Sequence, residues 1–318
     1  ILDCIDAFLQ IYGPEPQKPF GGVQMVFVGD LYQLPPVISA QEQSFFEKNY
    51  ASPYFFSARA FRHLAPEVVE LTKIYRQSDH DFIELLSRIR SNSITDADVT
   101  LLNSRLNATK AENRYENFCI SLTTTNNLSD SINSRELEAL EGRLHISQAV
   151  IDGNFSAEFY PAAEKLEFKT GAQVMFLNND SKNRWVNGSV GHIEDIRLTE
   201  EDKVKYLRIR LHENQRLVDV FPYTWEVFKY TLQGKEIISE VVGSFTQYPL
   251  RLAWAVTIHK SQGKTFDNIE IDVGRGTFAT GQLYVALSRC TSFEGISLKK
   301  PLRKEHIFTD WRITEFMN

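Results

Sequence analysis

Apolar residues recur along the chain at two periods, and the change between them divides it. Leu2, Ile5 and Leu9 fall on one face of a helix. The chain thus starts inside an amphipathic helix and without methionine, which leads us to expect a fragment of a longer protein. Residues 23–28 (Val-Gln-Met-Val-Phe-Val) form an apolar run closed by Gly29-Asp30, the pattern of a buried parallel strand with a polar tip. Ligands of open α/β sheets bind beyond such tips. A second strand is expected over Val68–Ile74, leading into Tyr75-Arg76-Gln77. Ser78 with Asp81 marks a helix start, and Phe82, Leu85, Leu86 and Ile89 supply its apolar face. Thr95 with Asp98 repeats the signal ahead of Val99, Leu102 and Leu106. Ile120-Ser121-Leu122 reads as a strand feeding the polar turn Thr123-Thr124-Thr125-Asn126 and a further helix. Such alternation predicts an α/β fold.

From about residue 165 the period shortens to two. Alternating segments fall at Gln173–Leu177, Val190–Ile196, Leu207–Leu211, Val218–Tyr223 and Glu236–Phe245, with turn signals such as Asn187-Gly188 between them. Short strands so spaced predict a small antiparallel barrel. After Pro249 the α/β texture returns: Ile269, Ile271 and Val273 alternate as a strand, and Gly281–Arg289 reads as a helix. A barrel inserted into an α/β frame is the simplest organisation. There are no internal repeats or low-complexity tracts.

Composition narrows the class only slightly. With 318 residues, 42% of them hydrophobic, the chain can fill more than one core, so two or three domains are expected. No apolar run approaches the roughly 18 residues that cross a bilayer, and no signal peptide opens the chain, so no membrane partner is expected. Cys4, Cys119 and Cys290 are odd in number and lack metal-ligand spacing, as expected of free thiols in a reducing compartment. The histidines show no His-x-x-x-His pattern, which argues against zinc. A net charge of −6 argues against a nucleic-acid binder, but a basic groove is compatible with an acidic whole. The cluster Lys299, Lys300, Arg303 and Lys304 reads as a solvated surface loop.

Four segments carry chemistry: Gly29-Asp30-Leu31-Tyr32-Gln33-Leu34-Pro35-Pro36-Val37, Tyr75-Arg76-Gln77, Thr257-Ile258-His259-Lys260-Ser261-Gln262-Gly263 and Tyr284-Val285-Ala286-Leu287-Ser288-Arg289. Each alone is a modest signal, but all four in this order at element ends are hard to produce by chance. Together they resemble the later motifs of superfamily 1 helicases, and within these the RecD-like, 5′-to-3′ branch that includes the petite-integration-frequency helicases. The resemblance covers nearly the whole chain and is most specific between Pro249 and Gly295. It implies residues 1–75 as the C-terminal part of a first RecA-like domain and residues 76–163 and 249–318 as a second one. An inserted Src-homology-3-like barrel would occupy 164–248.

The resemblance also implies roles. Gln33 would sense the γ-phosphate of ATP or place the attacking water, and Asp30 would lie near the water shell of Mg2+. Arg76 and Arg289 would be arginine fingers, since a guanidinium is always charged and its fork of donors matches phosphate oxygens. Gly263, beside Gln262, would let backbone approach the phosphates. Thr257, His259 and Lys260 match positions facing the DNA backbone, and Thr124, Thr125 and Asn126 resemble another DNA-contacting stretch. Such gripping reads little sequence. Trp185, Phe221, Tyr223 and Trp225 offer rings for base stacking but fit barrel core better.

The phosphate-cradling Gly-x-x-x-x-Gly-Lys-Ser/Thr does not occur; Gly263-Lys264-Thr265 imitates its end, but position 258 is isoleucine. The acid pair that holds magnesium in this family is missing too. The expectation is therefore part of an ATP-dependent helicase that translocates on single-stranded DNA and unwinds duplex junctions as a monomer. These residues alone would not turn over ATP. The cell compartment would be bacterial cytoplasm, or nucleus or mitochondrion. The competing reading is a DNA-binding or regulatory module that has lost its ATPase half, for which γ-phosphate sensors have no physical use. A Rossmann oxidoreductase is set aside, because no Gly-x-Gly-x-x-Gly occurs.

Overall fold

The computed structural model describes residues 1–64, 66–108, 118–233 and 236–317. Its helices are α1 (Leu2–Tyr12), α2 (Ala40–Asn49), α3 (His80–Arg90), α4 (Asp96–Asn103), α5 (Asn126–Ala139), α6 (Ile258–Ser261), α7 (Gln282–Leu287) and α8 (Trp311–Met317). Strands β1 (Ile120–Thr123), β2 (His145–Gln148), β3 (Val150–Gly153), β4 (Lys165–Phe168), β5 (Gln173–Phe176), β6 (Val190–Leu198) and β7 (Val204–Leu211) come first. They are followed by β8 (Leu217–Val220), β9 (Tyr223–Gln233), β10 (Glu236–Gln247), β11 (Leu250–Leu252), β12 (Ala255–Thr257), β13 (Ile269–Asp272) and β14 (Ile296–Leu298). The α/β class expected from the alternation is the one found. Two compact units form: Ile1–Thr109 with Val273–Asn318, and Lys110–Asp272.

In the first unit, α3 begins at Asp79, whose carboxylate accepts from the amides of Asp81 and Phe82. The expected cap was Ser78; the next residue takes the role, with extended backbone before the helix and a carboxylate that reaches the first amides. Phe82, Leu85, Leu86 and Ile89 are all buried, as their spacing predicted, and α3 packs on α7. The Thr95/Asp98 capping box forms, and Asp98 also takes three hydrogen bonds from the Arg88 guanidinium. β14 runs beside residues 105–107, with the Asn107 amide donating to the Leu298 carbonyl and the Leu298 amide to Arg105.

The strands expected at 23–28 and 68–74 are absent. Neither segment has a hydrogen-bonded neighbour strand among the described residues. Val26, Val28, Val68, Val69 and Leu71 are 74–89% exposed, the reverse of a sheet interior. A strand is a pairing, and an apolar run without a ladder to join does not make one.

The second unit holds a parallel core sheet with β1 between β12 and β13. Asn133 on α5 pins this sheet: its Nδ2 donates to the Ala255 carbonyl at 2.8 Å, and its Oδ1 accepts from the Ala255 amide at 2.9 Å. The antiparallel part comprises a five-stranded sheet, β11-β5-β6-β7-β8, a three-stranded sheet, β3-β10-β9, and the pair β2-β4. Leu166, Phe176, Ile193, Leu207, Ile209, Val220 and Tyr248 fill its core. Trp185 joins them, stacked on Phe176 at 4.6 Å, whereas Phe221 and Tyr223 are exposed. The single strand expected over Val218–Tyr223 is broken between β8 and β9, at Phe221-Pro222, where proline has no N–H to give a ladder.

Candidate nucleotide and DNA sites

The first unit gathers four of the residues expected at the nucleotide, Asp30, Gln33, Arg76 and Arg289, around α7. Gly281 caps this helix with a left-handed φ of 69°. The Asp30–Gln33 turn lies against it, closed by the Gln33 amide donating to the Asp30 carbonyl at 3.2 Å. The Asp30 carboxylate accepts from the Tyr32 amide at 3.1 Å and from Gln33 Nε2 at 3.2 Å. Asp30 therefore shapes the turn and orients the glutamine amide.

Beyond the other end of α7, Arg289 is only 2% exposed. It folds back on its own turn: Nε donates to the Val285 carbonyl at 2.9 Å and Nη2 to Ser288 Oγ at 2.8 Å. Arg76 Nη1 donates to the Ser288 carbonyl at 3.0 Å. Gln77, buried, donates to the carbonyls of Ser288 and Cys290, tying the Tyr75-Arg76-Gln77 segment to the Arg289 turn. Burial lowers the Arg76 pKa, and burial together with the neighbouring Arg76 charge brings Arg289 down to about 10. Burial, then the Asp30 charge, raises Tyr284, which stays a phenol. Two guanidiniums so placed form a site that an anion would stabilise. Arg90 and Gly281 were given no role from the sequence, and Gln77 and Tyr284 stood in the motif segments without one. Their partners lie far along the chain, 211 positions away for Gln77 and Ser288.

The predicted DNA-facing residues, with Gln262 and Gly263, lie in the second unit. Thr123 at the end of β1 is in register with Thr257 at the end of β12, so the helix starts that follow lie side by side. Thr125 caps α5 by accepting from the Leu128 amide, and Thr257 caps α6 by accepting from the Lys260 amide. Thr124 and Thr257 are buried, while Thr125, Asn126 and Lys260 face solvent. Burial lowers the His259 pKa from its ordinary 6.5, so the imidazole is neutral at pH 7 and would meet phosphate as a hydrogen-bond donor. Partial burial and then the nearby Arg251 charge lower the Lys260 pKa. Gln262 is exposed, and Gly263 is exposed with a φ of 81° and open space around its Cα.

An α/β frame bearing these four motifs at its element ends defines a chain of the superfamily 1 helicase class. The PIF1-like helicase family model matches residues 1–100. The mouse ATP-dependent DNA helicase PIF1 is 34% identical over 292 residues, covering 89% of this chain and 41% of that protein. The Campylobacter jejuni ATP-dependent DNA helicase Pif1 is 31% identical over 280 residues, covering 85% of this chain and 61% of that one. Among solved structures, a Bacteroides Pif1 bound to single-stranded DNA matches with a TM-score of 0.75 and 39% identity, over 99% of this chain and 71% of that one. A Bacteroides Pif1 with ADP-AlF3 and single-stranded DNA gives 0.77 and 38%, over the same shares. This chain belongs to the PIF1-like helicase family. It spans about two-fifths of the mouse relative's length and about three-fifths of the Campylobacter one's.

Proposed function

We propose that these residues are the γ-phosphate-reading and strand-gripping part of an ATP-dependent DNA helicase that moves 5′-to-3′ on single-stranded DNA. The observation that carries this reading is the gathering of Asp30, Gln33, Arg76 and Arg289 about α7. An amide, a carboxylate and two guanidiniums suit a nucleoside triphosphate with its magnesium ion, which would neutralise charge on the phosphate oxygens. In this reading Gln33 orients water or donates to the terminal phosphate, and Asp30 holds that amide and faces the ion's water shell. Arg76 and Arg289 stabilise charge on the transferred group, for which Arg289 must exchange its bonds to Val285 and Ser288 for phosphate oxygens. Gln262 and Gly263 are assigned to the nucleotide as well. Thr124, Thr125, Asn126, Thr257, His259 and Lys260 serve the DNA backbone, the buried threonines by shaping the strand ends and the exposed residues by contact.

The domain plan goes with it: residues 1–75 complete a first RecA-like domain, 76–163 and 249–318 build a second, and 164–248 is the insertion. Relatives that bind single-stranded DNA and ADP-AlF3 support the choice of ligands. The protein is proposed to act as a monomer inside the cell. Because the 318 residues contain no phosphate-binding loop, a polypeptide of these residues alone is expected to show no DNA-stimulated ATPase. In a protein that joins them to such a loop, Arg289→Ala should abolish ATP turnover and leave single-stranded DNA binding intact. Unchanged turnover would favour a DNA-binding module instead.

A further inference from the structure

At Gly281, backbone meets backbone. A Cβ there would lie 2.3 Å from the Tyr32 carbonyl oxygen, 2.6 Å from that of Gln33 and 2.9 Å from the Gln33 carbonyl carbon. These are main-chain atoms, so no rotamer change relieves the overlap, and any side chain pushes the Asp30–Gln33 turn off α7. The same turn is held from a second direction. Arg90, at the end of α3, lays its guanidinium over the Tyr32 ring at 4.4 Å and places Nη2 3.5 Å from Asp30 Oδ1. The first turn of α7 is closed by the Val285 amide donating to the Gly281 carbonyl at 2.8 Å, and its far end leads into Arg289.

We propose that Gly281 and Arg90 are positioning residues that lock the Gln33 turn onto α7, so that the Gln33 amide and the Arg289 guanidinium move as one body. A reader of a terminal phosphate gains from this, because catalysis by placement tolerates little error in the spacing of its donors. The role at the phosphate rests on the function proposed above, whereas the lock is a property of this chain alone.

Two measurements separate them. Hydrogen-exchange mass spectrometry on the chain should show residues 30–34 and α7 opening together. Gly281→Ala and Gly281→Asn should each speed exchange of residues 30–34 by about tenfold or more, leaving β1 unaffected. Asparagine tolerates the left-handed φ, so equal effects assign the loss to the Cβ contact. Gly142→Ala, at a φ of 96° with nothing within 4 Å, is the control for backbone strain. Arg90→Ala should speed the same segment, and Arg90→Lys should restore part of the protection. In a protein that also carries the phosphate loop, Gly281→Ala and Arg90→Ala should cut affinity for ADP–aluminium fluoride by about tenfold or more while ADP affinity stays the same. Unchanged exchange at residues 30–34 in the Gly281 and Arg90 variants overturns the lock. Faster exchange with unchanged analogue affinity overturns its role in reading phosphate.

Discussion

Arg289→Met should make the chain more stable. The guanidinium is buried, and the fall of its pKa from the ordinary arginine value to about 10 reflects how far burial and Arg76 disfavour its charge. At about 1.4 kcal/mol per factor of ten, that is roughly 3 kcal/mol against folding at neutral pH. The sign follows from linkage. A cation depressed in the folded state carries its full cost below about 10, and the cost fades as pH rises from there toward the ordinary arginine value. Methionine fills similar space but gives up the guanidinium's hydrogen bonds, those to Val285 and Ser288 among them, each worth about 1 kcal/mol net. Against the two bonds to Val285 and Ser288 the charge cost leaves about 1 kcal/mol, so the melting temperature of the variant should not fall and should rise by up to about 2 °C by calorimetry at pH 7. In a protein with the phosphate loop, the same change should cost about a thousandfold or more in ATP turnover. Higher stability with lost turnover marks a residue kept for its chemistry. A melting temperature lowered by about 3 °C or more would show that Arg289 holds the fold together, and the argument from its buried charge would be wrong.

Three further outcomes are expected. Asp98→Asn should cost about 1–2 kcal/mol in urea unfolding at pH 7, reduced from the full linkage value because Arg88 is 36% exposed. Arg88 holds the Asp98 pKa at about 2, so this stability is present above the ordinary 3.8 and should vanish as pH falls toward 2. Asn133→Ala should cost about 2–3 kcal/mol by the same assay, because it leaves the buried Ala255 amide without its side-chain acceptor. Lys260→Ala should weaken single-stranded DNA binding and flatten the dependence of log affinity on log salt by about 0.7; an unaltered slope in fluorescence anisotropy would remove Lys260 from the backbone contacts.

Much of the local structure could be read from residue order, because its causes are local. The Thr95/Asp98 box and the apolar face of α3 involve neighbours three or four apart, and both form as expected. The β-rich stretch was visible from its period of two, though not the break that Pro222 imposes. Pairing was harder. Residues 23–28 have the composition of a buried strand, yet whether one forms depends on a partner that no local pattern reveals. Within the candidate site, Asp30, Gln33, Arg76 and Arg289 were legible through motif resemblance. The parts played by Gly281, Arg90 and Gln77 were not: a glycine beneath two carbonyls, an arginine over a tyrosine ring and a buried amide gain their roles only once α3, α7 and the Asp30–Gln33 turn have met.

The central claim can be tested by a crystal structure of these residues joined to a phosphate-binding loop, with ADP–aluminium fluoride and single-stranded DNA bound. The account predicts Arg76, Arg289 and the Gln33 amide each within about 3 Å of the fluoride group, and Arg289 released from Val285 and Ser288. If Arg289 stays folded on its own turn while the analogue is bound, the two guanidiniums do not read the terminal phosphate and the claim fails.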